Sequence, residues 1–256
     1  MSASSTQPKC FVINMDRSHV RRAHITQAFE KQGLVFERIA GIDGSTLSKE
    51  ELNKVYDEEH CIKLIGRGLR KGEIGCTLSH IATWRAILEQ DLEGAFIFED
   101  DADFNPQAPF KLALALEGFK PDEPAIILFS PKSEELADPI DINVSDIKVF
   151  NSKRTALACA YYVNRKAAKN LLTYFDKLHH INDWWATMRR RKVVTTYLAQ
   201  TNEGEAWVTP LPEEINPSNL NCDPWRGSGK ASIGEKIQRA FYTYTYFRKR
   251  LKALEQ

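Results

Sequence analysis

The sequence predicts an α/β fold: a mixed, mostly parallel sheet flanked by helices, followed by an irregular to helical C-terminal extension. Three observations point there. Short apolar, β-prone runs alternate from Cys10 onward with segments whose apolar residues recur at helical spacing. The apolar run Gly94 to Phe98 ends abruptly in carboxylates. Beyond Trp207 the chain turns rich in Pro, Asn and Gly. These place one main domain over residues 1–206 and an extension over 207–256. At 256 residues the chain is long enough for a substantial buried core.

Taken in order, Cys10-Phe11-Val12-Ile13-Asn14 reads as a strand, and Asp16 and Ser18 open a helix carrying Ala23, Ile25, Ala28 and Phe29. Gly33 ends that helix, Val35 to Ile39 suggests a second strand, and Gly41-Ile42-Asp43-Gly44 is a glycine-bracketed loop holding a carboxylate. Ser48 to Glu59 is a charged helical excursion, and Gly66 through Gly72 is a mobile basic loop. A helix from about Glu73 to Gln90 is expected to bury Leu78, Ile81, Ala82, Ile87 and Leu88. Gly94 to Phe98, Ala125 to Phe129 and Ala156 to Val163 read as strands, Lys166 to Phe175 as a helix, and Asp138 to Asp146 as a polar surface loop. The tail from Ile233 to Leu254 forms a basic, aromatic amphipathic helix suited to an anionic membrane surface.

A formal net charge of +1 gives no global field for nucleic acid. Five scattered cysteines with no CxxC pair suit a reducing compartment. The polar N-terminus lacks a signal-peptide core and no apolar run is long enough to span a bilayer. A cytoplasmic protein is expected.

The most informative stretch is Glu99-Asp100-Asp101-Ala102-Asp103. Hard cations such as Mg²⁺ or Mn²⁺ take oxygen ligands, and strand alternation points Glu99 and Asp101 to one side. Acidic residues also cap turns, but four carboxylates within five residues repel one another, which a bound cation relieves. Glu99 and Asp101 are the first choice of metal ligands, with Asp103 as the substitute.

Four motifs in order carry a family resemblance. They are Ile13-Asn14-Met15-Asp16-Arg17 with Arg21-Arg22, Ala40-Gly41-Ile42-Asp43-Gly44, Gly72-Glu73-Ile74-Gly75-Cys76-Thr77-Leu78-Ser79-His80, and Phe98-Glu99-Asp100-Asp101. Together they resemble glycosyltransferase family 25, the lipooligosaccharide glycosyltransferases. The resemblance covers about the first 110 residues closely and continues more loosely through Asp183. It implies a GT-A-type nucleotide-binding fold and an inverting transfer from a UDP-hexose, galactose favoured over glucose, to a lipooligosaccharide core at the inner face of the inner membrane. It also implies a divalent cation, Mn²⁺ or Mg²⁺, on the acidic motif. Asn14, Asp16, Arg17 or Arg22, Asp43 and Asp100 would then lie at the donor, with Gly75, Ser79 and His80 lining its site.

The residues allow plainer readings beside these. The Arg17, Arg21 and Arg22 group can hold a diphosphate or form a solvated helix face. Asp43 can accept ribose hydroxyls or serve its own turn. No G-x-S-x-G elbow surrounds Ser79, so Ser79-His80 is not a hydrolytic pair. In His179-His180-Ile181-Asn182-Asp183-Trp184-Trp185, Asp183 is the candidate base for the acceptor hydroxyl, and helix capping by Asn182 or Asp183 is the alternative. Arg189-Arg190-Arg191-Lys192 suits acceptor phosphates or a helix C-terminus equally. A glycoside hydrolase with paired carboxylates and a non-enzymatic membrane-surface adaptor are the rival functions.

Overall fold

The structure is a computed structural model that describes residues 9–65, 67–105, 121–129, 136–142, 147–153 and 157–211. The expected tail helix lies outside the described residues, as does most of the 207–256 extension.

The first strand, β1 (Cys10–Asn14), follows the sequence reading residue for residue. Ser18 precedes α1 (His19–Lys31), and Gly33, at φ +65°, terminates it. The Gly33 N–H donates to the Glu30 carbonyl and the Leu34 N–H to that of Phe29, a paired closure that satisfies the helix's last carbonyls. Strand β2 (Glu37–Ala40) pairs parallel to β1. The charged excursion is two helices, α2 (Lys49–Val55) and α3 (Glu58–Ile65), the first opened by a Ser48–Glu51 capping box. The long helix α4 (Lys71–Glu89) leads into β3 (Gly94–Glu99), parallel to β1. The basic loop before α4 is tied down: Arg67 forks onto Glu73 with bonds of 2.8 and 2.7 Å, and the Leu69 N–H donates to the Tyr56 hydroxyl at 2.7 Å.

After the acidic turn come β4 (Ala102–Phe104), β5 (Ala125–Leu128), β6 (Leu136–Ile140), β7 (Ile147–Ser152) and β8 (Ala160–Asn164). Helices α5 (Arg165–Tyr174) and α6 (Trp185–Arg190), then β9 (Thr195–Thr201) and β10 (Val208–Pro210), complete the described chain. The polar stretch expected as a surface loop over 138–146 begins as strand instead, because residues of β6 pair antiparallel with β7.

Eight strands form one sheet in the order β2-β1-β3-β8-β5-β9-β7-β6, and β10 pairs with β4 in a small second sheet. The large sheet is mixed. Following the pairings, β2, β1, β3, β5, β9 and β6 point one way while β8 and β7 are reversed.

Strand alternation sorts the core onto two faces. Cys10, Val12, Phe96 and Phe98 face α1, where Phe29 meets Phe98 and Phe104 edge-on at 5.1 and 5.2 Å. Phe11, Ala95 and Ile97 face the opposite layer of α4, α5 and α6. On α4 the buried face differs from the apolar expectation. Ile81 and Ile87 are buried, but Leu78, Ala82 and Leu88 are only half-buried, while Thr77, Ser79, His80 and Thr83 are fully enclosed. A helix that buries its polar residues must supply them with partners, and those partners define the site.

Candidate functional site

The C-terminal ends of β1 and β3 lie side by side, and the acidic motif divides between the two faces of the sheet. Glu99 emerges on the α4 face and Asp100 on the α1 face.

On the α1 side, Asp100 is buried and both its oxygens are engaged. Asn14 Nδ2 donates to Oδ2 at 2.7 Å and Arg21 to Oδ1 at 3.0 Å. Burial pushes the Asp100 carboxyl above its ordinary range, against the lowering effect of these two donors. Asn14 is itself gripped by Arg38, whose Nε donates to Oδ1 and whose Nη2 donates to the carbonyl oxygen, each at 3.1 Å. Arg38 also pairs with Asp16. This network clamps β1, β2, α1 and the acidic turn together. The carboxylate of Asp103 faces His24 at 3.5 Å and takes no part in the α4-side group. Arg22 bonds its neighbour His19 at 2.6 Å on the exposed surface of α1.

The loop carrying Asp43 sits on the first turns of α4. Ser79 Oγ accepts the Ile42 N–H at 2.8 Å and donates to the Gly75 carbonyl at 2.7 Å. A Cβ on Gly75 would lie 2.6 Å from the Gly44 nitrogen, so both glycines are demanded by the close backbone approach. Asp43 accepts from the Ser45 N–H at 2.9 Å and pairs with Arg17. Ser79 and Gly75 therefore seat this loop, and Arg17 and Asp43 stand at its exposed edge.

On the α4 side, the Cys76 sulfur, a His80 ring nitrogen and a Glu99 oxygen come within 4.8 Å of one another. Asp183, in the segment between α5 and α6, lies near enough for the charge of Glu99 to act on it. Its carboxyl is pushed up to about 6, first by burial and next by the negative charge of Glu99. Its Oδ1 is buried with no hydrogen-bond partner. The segment is held to α4 by Asn182, whose side-chain oxygen accepts from Thr77 Oγ1 at 3.3 Å. Asp183 does not cap α6, whose N-cap is Trp184. The Cys76 thiol is pushed well above its usual range, first by burial and then by Glu99, Asp183 and Asp101.

Which members suit a divalent cation follows from their chemistry. Glu99 and Asp101 offer the hard oxygen ligands that Mg²⁺ or Mn²⁺ prefers. The Cys76 thiol is held protonated, and both His80 nitrogens are engaged, at 2.8 Å by the Tyr161 hydroxyl and at 3.2 Å by Glu99. A hard cation thus fits the carboxylates rather than the sulfur and imidazole.

Sequence reasoning missed Tyr161, Trp84 and Arg38, and took Asn182 only as a helix-capping candidate. Each sits inside an ordinary strand, helix or turn, and only strand order and helix packing bring it to the site. Arg21 was visible as one of three arginines but not as the one that reaches Asp100.

Residues 7–185 match the family model described as glycosyltransferase family 25 (LPS biosynthesis protein). Procollagen galactosyltransferase 2 of Mus musculus is 23% identical over 195 residues, covering 73% of this chain and 31% of its own length. A Haemophilus influenzae protein carrying a provisional glycosyltransferase name is 32% identical over 165 residues, covering 63% of this chain and 56% of its own length. The chain thus spans about a third of the first relative and about half of the second. A solved glycosyltransferase involved in the glycosylation of the major capsid of PBCV-1 aligns at 11% identity and a TM-score of 0.33, covering 66% of this chain and 65% of that one. The matched span runs from before β1 to the start of α6 and takes in every residue of the group around Glu99 and Asp183, so the chain belongs to glycosyltransferase family 25.

Proposed function

We propose that this chain is an inverting glycosyltransferase that moves a hexose from a UDP-sugar to the saccharide of a bacterial lipooligosaccharide, within a GT-A-type domain over residues 1–206. One observation carries the reading: the Asp183 carboxyl, whose Oδ1 is buried without a hydrogen-bond partner, feels the charge of Glu99, 84 residues away in the chain and within the same matched region. Such an arrangement raises the energy of the protein unless a ligand uses it.

In this reading Glu99 and Asp101 hold the divalent cation, which when bound neutralises charge developing on the departing UDP. Asp183 accepts the proton of the attacking acceptor hydroxyl. A base is most effective with a pKa near the working pH, and burial beside Glu99 moves Asp183 in that direction. A β-linked product follows from attack opposite the leaving group. Arg17 and Asp43, at the edge of the Gly41–Gly44 loop, bind the donor, and Asn14, Asp16, Asp100, Gly75 and Ser79 build the frame that holds them. His80 lines the floor. Asp103, which lies 3.5 Å from His24, is the substitute ligand in this reading.

The galactose preference is supported by the name of the procollagen galactosyltransferase relative, and the lipooligosaccharide acceptor by the family's description. Peripheral contact with the inner membrane rests on the basic aromatic sequence of residues 233–254. No helix among the described residues is long and apolar enough to cross a membrane.

Calorimetric titration with UDP in the presence and absence of Mn²⁺ tests the reading. Binding at least about tenfold tighter with Mn²⁺ is expected. UDP binding that is absent, or indifferent to Mn²⁺, overturns it. Transfer assays with UDP-galactose and UDP-glucose on truncated lipooligosaccharide then fix the donor.

A further inference from the structure

Behind Glu99 runs a buried chain of polar groups that neither the sequence nor the family match assigns. Trp84, Tyr161 and His80 are each 0% exposed. The Trp84 Nε1–H donates to the Tyr161 oxygen at 2.9 Å, Tyr161 meets His80 Nδ1 at 2.8 Å, and His80 Nε2 meets Glu99 at 3.2 Å.

The proton positions follow from what each group can do. An indole nitrogen only donates, so the Tyr161 oxygen is the acceptor of that bond. A carboxylate only accepts, so His80 must present Nε2–H to Glu99. A neutral imidazole then has a bare Nδ1, which accepts the Tyr161 hydroxyl hydrogen. Every donor in the chain finds an acceptor in one direction only: Trp84 to Tyr161 to His80 to Glu99. The other tautomer sets the bare Nε2 against the Glu99 carboxylate. An imidazolium leaves the Tyr161 hydrogen with no acceptor in a dry site, where an unmet polar hydrogen is costly. Burial also holds the Tyr161 phenol well above its ordinary pKa, which keeps the hydroxyl hydrogen in place.

We infer that Tyr161 is a positioning residue: it sets the His80 tautomer so that Nε2–H fixes the orientation of the Glu99 carboxylate and leaves its other oxygen for the ligand. This rests on the proposed role of Glu99 in cation binding, while the tautomer itself can be read without any ligand. A helix–strand–helix relay also explains why α4 buries a histidine at its centre.

The test is ¹⁵N NMR of the imidazole groups in metal-free protein, with the His80 signal among the six histidines assigned by its loss in His80→Gln. Protonated Nε2 and hydrogen-bonded, unprotonated Nδ1 are expected. Tyr161→Phe should shift the Nδ1 resonance and mix the tautomers, and should weaken Mn²⁺-dependent UDP binding about tenfold. In a His80→Gln background, whose amide can donate to Glu99 without help from Tyr161, the same Tyr161→Phe change should leave UDP binding unaltered. An unprotonated Nε2 in the unmodified protein overturns the inference even if no variant folds. So does a Tyr161→Phe protein with unmoved signals and unchanged binding. If the tautomer is as expected but Mn²⁺ has no effect on UDP binding in the unmodified protein, the cation reading of Glu99 fails and the tautomer assignment stands.

Discussion

Replacing Asp183 by asparagine should make the metal-free protein more stable while removing its activity. The Asp183 carboxyl rises from an ordinary 3.8 to about 6 on folding. A shift of about two units corresponds to about 3 kcal/mol between the protonated and ionised forms. Because the folded pKa is the higher one, the folded state holds the proton more tightly than the unfolded chain does. The favourable contribution is complete below 3.8 and is lost as pH rises through about 6. At neutral pH and above, the folded protein therefore carries the full cost of a buried charge beside Glu99. Asparagine has the same shape and no charge. In EDTA-treated protein the urea midpoints of the two forms should separate with pH, the variant leading by about 1 to 2 kcal/mol at pH 5 and about 3 kcal/mol at pH 8. Transfer by the variant should fall at least about 100-fold with UDP binding retained. A variant no more stable than the parent across that range would refute the placement of a charged Asp183 in a buried site, and normal turnover would assign the base elsewhere.

Other outcomes follow from the same geometry. Asp101→Ala should lower Mn²⁺-dependent transfer by at least about 100-fold with an unchanged circular dichroism spectrum; full activity would remove Asp101 from the cation site. Gly75→Ala in a helix ordinarily gains about 1 kcal/mol, but here the added methyl meets the Gly44 nitrogen and the Ile42 carbonyl, both backbone. A loss of about 2 kcal/mol in thermal unfolding is expected, and a gain would contradict the close approach. Asn14→Ala takes one of two donors from buried Asp100 and should cost about 1–3 kcal/mol, measured by urea unfolding at pH 7. An unaffected midpoint would mean that Arg21 alone suffices.

Much of the fold could be read locally. The run Cys10–Asn14, the stop at Gly33 and the apolar run into Glu99 are decided by near neighbours: β-branched and aromatic residues, a glycine at positive φ, and hydrophobic periodicity. Strand β6, which carries Asp138 and Pro139, was harder, because pairing with β7 rather than composition makes it a strand. On α4 the apolar pattern pointed to Leu78 and Leu88, whereas the packing chose Ser79 and His80, whose hydroxyl and imidazole are met by the Ile42 loop and by Tyr161.

The residue types of the site, a run of carboxylates at a strand end and an Asp after two histidines, were determined by sequence alone. Their division was not. A strand turns successive side chains to opposite faces, so Glu99 and Asp100 part company as soon as the sheet is covered on both sides, one going to His80 and Asp183 and the other to Asn14 and Arg21. Which helix covers which face, and hence which carboxylate is left ionisable beside another, depends on packing between segments more than 80 residues apart, as between Glu99 and Asp183. Local propensity holds no information over that distance.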